Sequence, residues 1–185
     1  MKIIIKNLPD TGISDEKLNE ANEILILFRE NFPNLSGFSG DCFAAAYAIN
    51  KCLLNGQANI IGCVNKAIFQ NIGEHIGHIA LHCFSDEQGM CFLDIEGFKE
   101  PDNIESWAML DSDDIDYQNI FLDNDIELSE DNFSDAIWIN YLNEDIELLC
   151  DEIILNKYET ALNTTKEMHL LNKSKTNLNI KAFYK

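Results

Sequence analysis

Residues 42–54, "CFAAAYAINKCLL", constrain the fold more than any other stretch of this chain. Ala44, Ala45, Ala46 and Ala48 stand beside Phe43, Tyr47, Ile49 and Leu53. At 3.6 residues per turn, that makes a helix apolar around most of its girth, which must be central and covered on several sides. The alanines let other backbones approach closely. Asp41 stands where an N-cap is expected, and Asn55-Gly56 supplies a C-terminal stop. Whatever else the chain forms has to wrap this helix.

Several segments can do the wrapping. "KIIIK" predicts a short first strand, closed by Pro9 and Gly12. Ser14 then caps a helix through "SDEKLNEANEILILFRENF", with Leu18, Ala21, Ile24, Leu25 and Phe28 at helical spacing and Pro33 at its end. "ANIIGCV" and "KAIFQ" are strand candidates. "GHIALHCF", "SDEQG" and "MCFLDIEGF" give two apolar runs joined by a polar, Gly-containing turn, the pattern of an antiparallel hairpin inside a covered sheet. After Pro101 the pattern becomes acidic and irregular, with short elements and loops. From Ser134 the chain reads as helix, with Ile146, Leu149, Ile153 and Leu162 in its apolar stripe. The predicted class is α+β, with a core over residues 1–128 and a helical extension over 129–185 packed on it.

Charge narrows the partners. The chain carries 32 acids against 13 bases, a formal net charge of −19. Such a surface repels nucleic acid phosphates and anionic membranes, so neither is an expected partner. The plain reading is a solvated acidic face that keeps the chain in solution, and the sharper one a surface that meets a basic protein or imitates nucleic acid. Between Asp86 and Glu152 the only base is Lys99. No apolar run approaches the ~20 residues of a membrane span. The opening "MKIIIKNLPDTG" turns polar too early for a secretory leader, which predicts a cytoplasmic protein with reduced thiols at its six cysteines. No Gly-rich phosphate loop or dinucleotide fingerprint occurs, so no cofactor is expected.

Three groups in chain order could carry chemistry: Cys42 at a helix start, His78 at the head of one strand, and Asp94 at the end of the next. A thiol attacks as thiolate, which the unpaired N–H groups and macrodipole of a helix N-terminus favour. An imidazole can take the thiol proton, and a carboxylate on its other nitrogen fixes the tautomer. A three-residue hairpin loop centred on Asp86 sets His78 directly opposite Asp94, within hydrogen-bond reach. A turn placed on Glu87 sets His78 opposite Glu96 instead, and a two-residue loop breaks the pair.

"SGDC" entering a small-residue helix, followed by "GHIALHCF" and "MCFLDIEGF", resembles the papain-like fold, and in particular its transglutaminase-like branch and small bacterial or phage-type members. The resemblance spans residues 36 to 98. It implies a helix carrying the cysteine packed on an antiparallel sheet, with Cys42 as nucleophile, His78 as base and Asp94 as orienting acid. It further implies acyl chemistry on an amide or thioester bond, as in a protease, deamidase or transglutaminase, with a protein or peptide substrate. Such enzymes usually place a glutamine upstream of the cysteine to stabilise the oxyanion. Here only Asn34, Ser36 and Ser39 stand in that region, and they are the oxyanion candidates. Asp41 beside the sulfur opposes thiolate formation.

Plainer readings compete. Free cysteine is among the most buried residue types, so Cys52, Cys63, Cys83, Cys91 and Cys150 are expected in the core, and Cys42 could join them. His82 shares strand parity with His78 and is the rival base, expected to face Met90. His75 follows Glu74 in a loop. The spacing of His75, His78, His82 and Cys83 suits no zinc motif, so no metal is expected. Trp107 and Trp138 are read as packing residues. The alternative function is a non-catalytic acidic binding or inhibitor protein, a nucleic-acid mimic or decoy that keeps the scaffold.

Overall fold

The computed structural model describes residues 11–35, 41–71, 78–85, 89–99, 115–129, 131–132, 135–141 and 150–183. Among these, five helices and one five-stranded antiparallel sheet form an α+β architecture. The expected strand over residues 2–6 lies outside the described residues.

Helix α1, Asp15–Asn31, starts as its sequence directs. Ser14 is extended, and its Oγ accepts the Lys17 N–H at 3.3 Å, satisfying one of the unpaired donors of the first turn. The helix buries Leu18, Ala21, Ile24, Leu25 and Phe28, the five residues its periodicity selects. Helix α2, Cys42–Leu53, buries Ala44, Ala45, Ala46, Ala48, Ile49, Asn50 and Leu53. Asn55 and Gly56 follow in the left-handed region, at φ 56° and 74°, and close it. Asp41 occupies the N-cap position, yet its side chain makes no capping hydrogen bond, contrary to expectation. Its backbone is helical (φ −83°, ψ −1°), whereas a capping side chain needs an extended one to reach back to the first amides.

The buried amide of Asn50 joins α2 to the sheet. Its Nδ2 donates to Ala58 O and its Oδ1 accepts from Ala58 N–H, both at 3.0 Å. Strand β1, Asn59–Asn65, follows directly. "KAIFQ" then forms helix α3, Lys66–Asn71, and not the expected strand. Asn65 Oδ1 accepts the Ile68 N–H at 3.1 Å, the capping contact that starts a helix.

Strands β2, His78–Ser85, and β3, Gly89–Asp94, form the expected hairpin. Strand β4, Gly97–Lys99, then splits off from what the sequence suggested was one continuous run. The break is chemical. Asp94 Oδ1 accepts the Glu96 N–H at 2.7 Å, an Asx turn. Gly97 takes φ +99°, and a Cβ there would collide with the Asn22 side chain. Asn22 Oδ1 also accepts the Phe98 N–H at 3.0 Å, which ties α1 to the turn.

Residues 136–141, expected to be helical, form strand β5, which pairs with β1 and completes the order β4-β3-β2-β1-β5. The second segment of the chain therefore gives the sheet an edge strand as well as a helix. Helix α4, Ile115–Asp123, lies in the acidic stretch, and the long helix α5, Glu152–Phe183, packs on α1 and α2. The buried stripe of α5 runs through Leu155, Tyr158, Ala161, Leu162, Thr165 and His169. Leu162 is where the sequence placed it, but Ile153 is 68% exposed, because its position is out of phase with that stripe. Ile146 and Leu149 lie outside the described residues.

The sheet has two unlike faces. Ile60, Ile79, Leu81, Cys83 and Leu93 join the main core with α1, α2 and α5. On the other face Ile61, Cys63, Ala80 and Phe92 form a small cluster against Ala136 and Trp138. Strand alternation assigns His78 and His82 to that second face.

Candidate functional site

β2 and β3 pair with Leu81 opposite Leu93, Cys83 opposite Cys91 and Ser85 opposite Gly89. This is the register with the turn on Glu87, not the one centred on Asp86. His78 therefore does not directly oppose Asp94, and His82 opposes Phe92, not Met90. The imidazole and carboxylate nevertheless meet. His78 Nε2 lies 3.1 Å from Asp94 Oδ2. The contact is diagonal, between positions offset by two residues on one face, and side chains of this length can bridge such a gap. Both residues are buried, His78 at 5% exposure and Asp94 at 4%.

Each oxygen of Asp94 has a task. Oδ1 is held by the Glu96 amide of the tight turn, and Oδ2 faces the ring. A carboxylate fixed at one oxygen can orient an imidazole through the other, and with Nε2–H donating to it, Nδ1 is the nitrogen a thiol would address. The turn that breaks the strand is thus also what positions the acid.

Cys42 opens α2, half-buried against the main core. Backbone amides of Phe43, of Cys42 itself and of Ile79 point at its sulfur. The last of these is the peptide that joins His78 to Ile79, so the thiol sits against the first peptide of β2, next in sequence to the imidazole. β2 extends beyond its ladder with β3, which begins at Leu81, and the sulfur meets it in that overrun. The amides favour thiolate, but burial outweighs them and pushes the Cys42 thiol up, with the charge of Asp41 adding to the rise. The resting group is a thiol, and the helix terminus alone does not ionise it. The Asp41 effect agrees with expectation.

Asn34 lies exposed in the turn after α1, while Ser36, Ser39, His75 and Trp107 lie outside the described residues. The structure thus joins His78 to Asp94 by a direct hydrogen bond, while Cys42 approaches the peptide adjoining His78 from the helix-covered side, opposite the face that strand alternation gives the ring. The Ile79 and Phe43 amides and the Glu96 amide escaped sequence reading, because backbone donors carry no residue-type signal.

The rival base has a different environment. His82 Nδ1 lies 3.5 Å from Asn59 Nδ2, its ring meets Phe92 edge-on at 5.7 Å, and Phe92 stacks on Trp138 at 5.2 Å. Burial lowers its pKa and keeps the ring neutral. All six cysteines are free thiols: Cys63 and Cys83 are buried, while Cys52, Cys91 and Cys150 are half-buried at the core margin. Among the described residues no His, Cys, Asp or Glu group gathers to hold a metal, and no helix is long and apolar enough to cross a membrane. No known protein family, no curated protein and no solved structure matches the chain.

Proposed function

We propose that Cys42, His78 and Asp94 form a thiol-dependent acyl-transfer site on a papain-like scaffold. The observation that carries this is the buried contact of His78 Nε2 with an Asp94 carboxylate itself fixed by a tight turn, beside the peptide that touches the Cys42 sulfur. In this mechanism His78 takes the thiol proton as sulfur attacks the carbonyl carbon of an amide or thioester. The new S–C bond forms a tetrahedral oxyanion, for which the Cys42 and Phe43 amides at the helix start, already directed at the sulfur, are the proposed backbone donors. Collapse expels the amine or thiol, which recovers the proton from His78. Water or an amine then resolves the acyl-enzyme. A thiol that is neutral at rest suits this order, because proton removal accompanies attack. The substrate is a protein or peptide, and the acidic chain favours a basic one.

The test is acyl-enzyme formation. Incubation with peptide thioesters followed by intact-mass measurement should show one acyl adduct, absent in Cys42→Ala and slowed roughly 100-fold or more in His78→Ala. Equal adduct formation in all three proteins would end the proposal.

One observation favours a second reading, an acidic binding protein without catalysis: burial and Asp41 both hold the Cys42 thiol protonated. Its surface would engage a basic protein, with binding that weakens steeply with salt and ignores Cys42→Ala.

A further inference from the structure

Cys83 and Cys91 were both expected to be packing residues, yet they form a pair. They are directly opposed on β2 and β3, and both point to the helix-covered face. Their thiols hydrogen-bond to each other. The type of pair follows from a neighbour. Phe84 N–H donates to Thr11 Oγ1 at 2.7 Å, and Thr11 Oγ1 donates back to Phe84 O at 3.2 Å, so the Phe84 peptide groups point away from β3. Alternation then points those of Cys83 toward Cys91, making this a hydrogen-bonded pair with Cα atoms about 5.5 Å apart. A disulfide accepts Cα separations of about 4.4–6.8 Å and needs Cβ atoms about 3.5–4.5 Å apart, slightly closer than opposed strands usually hold them. A bond across this ladder is within reach and mildly strained, which makes it reducible.

The two thiols are not equivalent. Cys83 is fully buried, whereas Cys91 is half-buried next to Met90, which is 43% exposed. The hydrogen bond from Cys83 stabilises charge on Cys91, lowering its pKa and raising that of Cys83, while Asp15 opposes ionisation of Cys91. One thiol can be reached from solvent and the other waits behind it.

We propose that Cys83 and Cys91 are a reversible dithiol–disulfide site whose oxidant is a hydroperoxide. Cys91 sulfur attacks the outer peroxide oxygen. The O–O bond breaks, the alcohol or water leaves with the thiol proton, and Cys91 becomes a sulfenic acid. Cys83 sulfur then attacks the Cys91 sulfur, the S–O bond breaks, and water leaves carrying the Cys83 proton. Two thiols have lost two electrons and the peroxide has gained them. An external thiol reverses the change by exchange.

The experiment uses the native, reduced full chain and hydrogen peroxide as probe. After oxidation and capping of remaining thiols, cleavage with a glutamate-specific protease cuts between the two cysteines at Glu87. The expected result is that the two halves stay joined, lighter by two hydrogens than the sum of the reduced fragments, and separate on reduction. Cys91→Ser should abolish the joined species, and Cys42→Ala should leave it unchanged. Halves that separate after oxidation of the wild-type chain, or a link that forms only in denaturant, would overturn the proposal. So would conversion of Cys91 to sulfinic acid without a link. The wild-type readout stands whether or not a variant folds.

Discussion

From His78 to Cys83 the two faces of β2 are both buried, yet they are chemically opposite. Ile79, Leu81 and Cys83 point into the main core under three helices, while His78, Ala80 and His82 point into a small cluster of few apolar residues. On the first face any well-shaped hydrocarbon does the work, and stability comes from area removed from water. On the second, each buried polar group costs free energy unless it finds a partner. His78 finds a carboxylate, and His82 has Asn59 and the edge of an aromatic ring. The lesson is that a candidate site is marked by where polar residues are tolerated at apolar-like burial, not by where the core is thickest.

Substitutions can break this contrast. Leu81→Ala, deep under the helices, should cost about 4 kcal/mol, near the upper part of the range for such deletions and enough to unfold a marginal domain. Chemical denaturation would read it directly. Ile61→Ala on the thin face should cost about 2–3 kcal/mol, because a small cluster can collapse around the missing atoms. Equal costs for the two would mean that the faces pack alike. Asp94→Ala removes the His78 acceptor and the anchor of the tight turn, and should cost about 2 kcal/mol. Unlike the apolar changes, it should also lower thioester acylation.

The smallest effect concerns pH. Burial holds the folded-state pKa of His82 below its ordinary value of 6.5. As pH falls below 6.5, the unfolded chain binds a proton at this ring and the folded chain does not, so stability falls until the lower folded pKa is passed. His82→Phe should flatten this dependence by less than about 1 kcal/mol between pH 7.5 and 5.5. Urea titrations at the two pH values would measure it, and an unchanged slope would show that His82 exchanges protons freely.

Much of the fold was legible because local signals agreed with tertiary needs. The Ser14 cap and the spacing from Leu18 to Phe28 define α1, and the alanine-rich run defines α2 as the central helix. The apolar runs of β2 and β3, with a turn between them, define the hairpin. The failures have physical causes. β5 alternates Ile137 and Ile139 against Ala136, Trp138 and Asn140, but apolar residues on both sides of it hide the period of two. α3 is too short for periodicity to show, and its one signal was Asn65 three residues before Ile68. In the site, His78 and Asp94 were correctly brought together although the register was off by one turn position. A diagonal contact and a direct one lie on the same face, so residue parity was enough. The thiol pair was missed because each cysteine looked apolar in its own strand, and only the register sets them face to face.

The Asn50 clamp on Ala58 has a mechanical consequence. With both amide atoms bonded across the corner between helix and strand, that joint cannot bend without breaking two buried contacts. Cys42 lies eight residues along the same rod, about 12 Å away. A tilt of only about 5° at the corner would carry the sulfur about 1 Å, a displacement that would cost the proposed acyl transfer about two orders of magnitude. The stiffness of a remote elbow thus sets where the start of the helix, and the thiol on it, can lie.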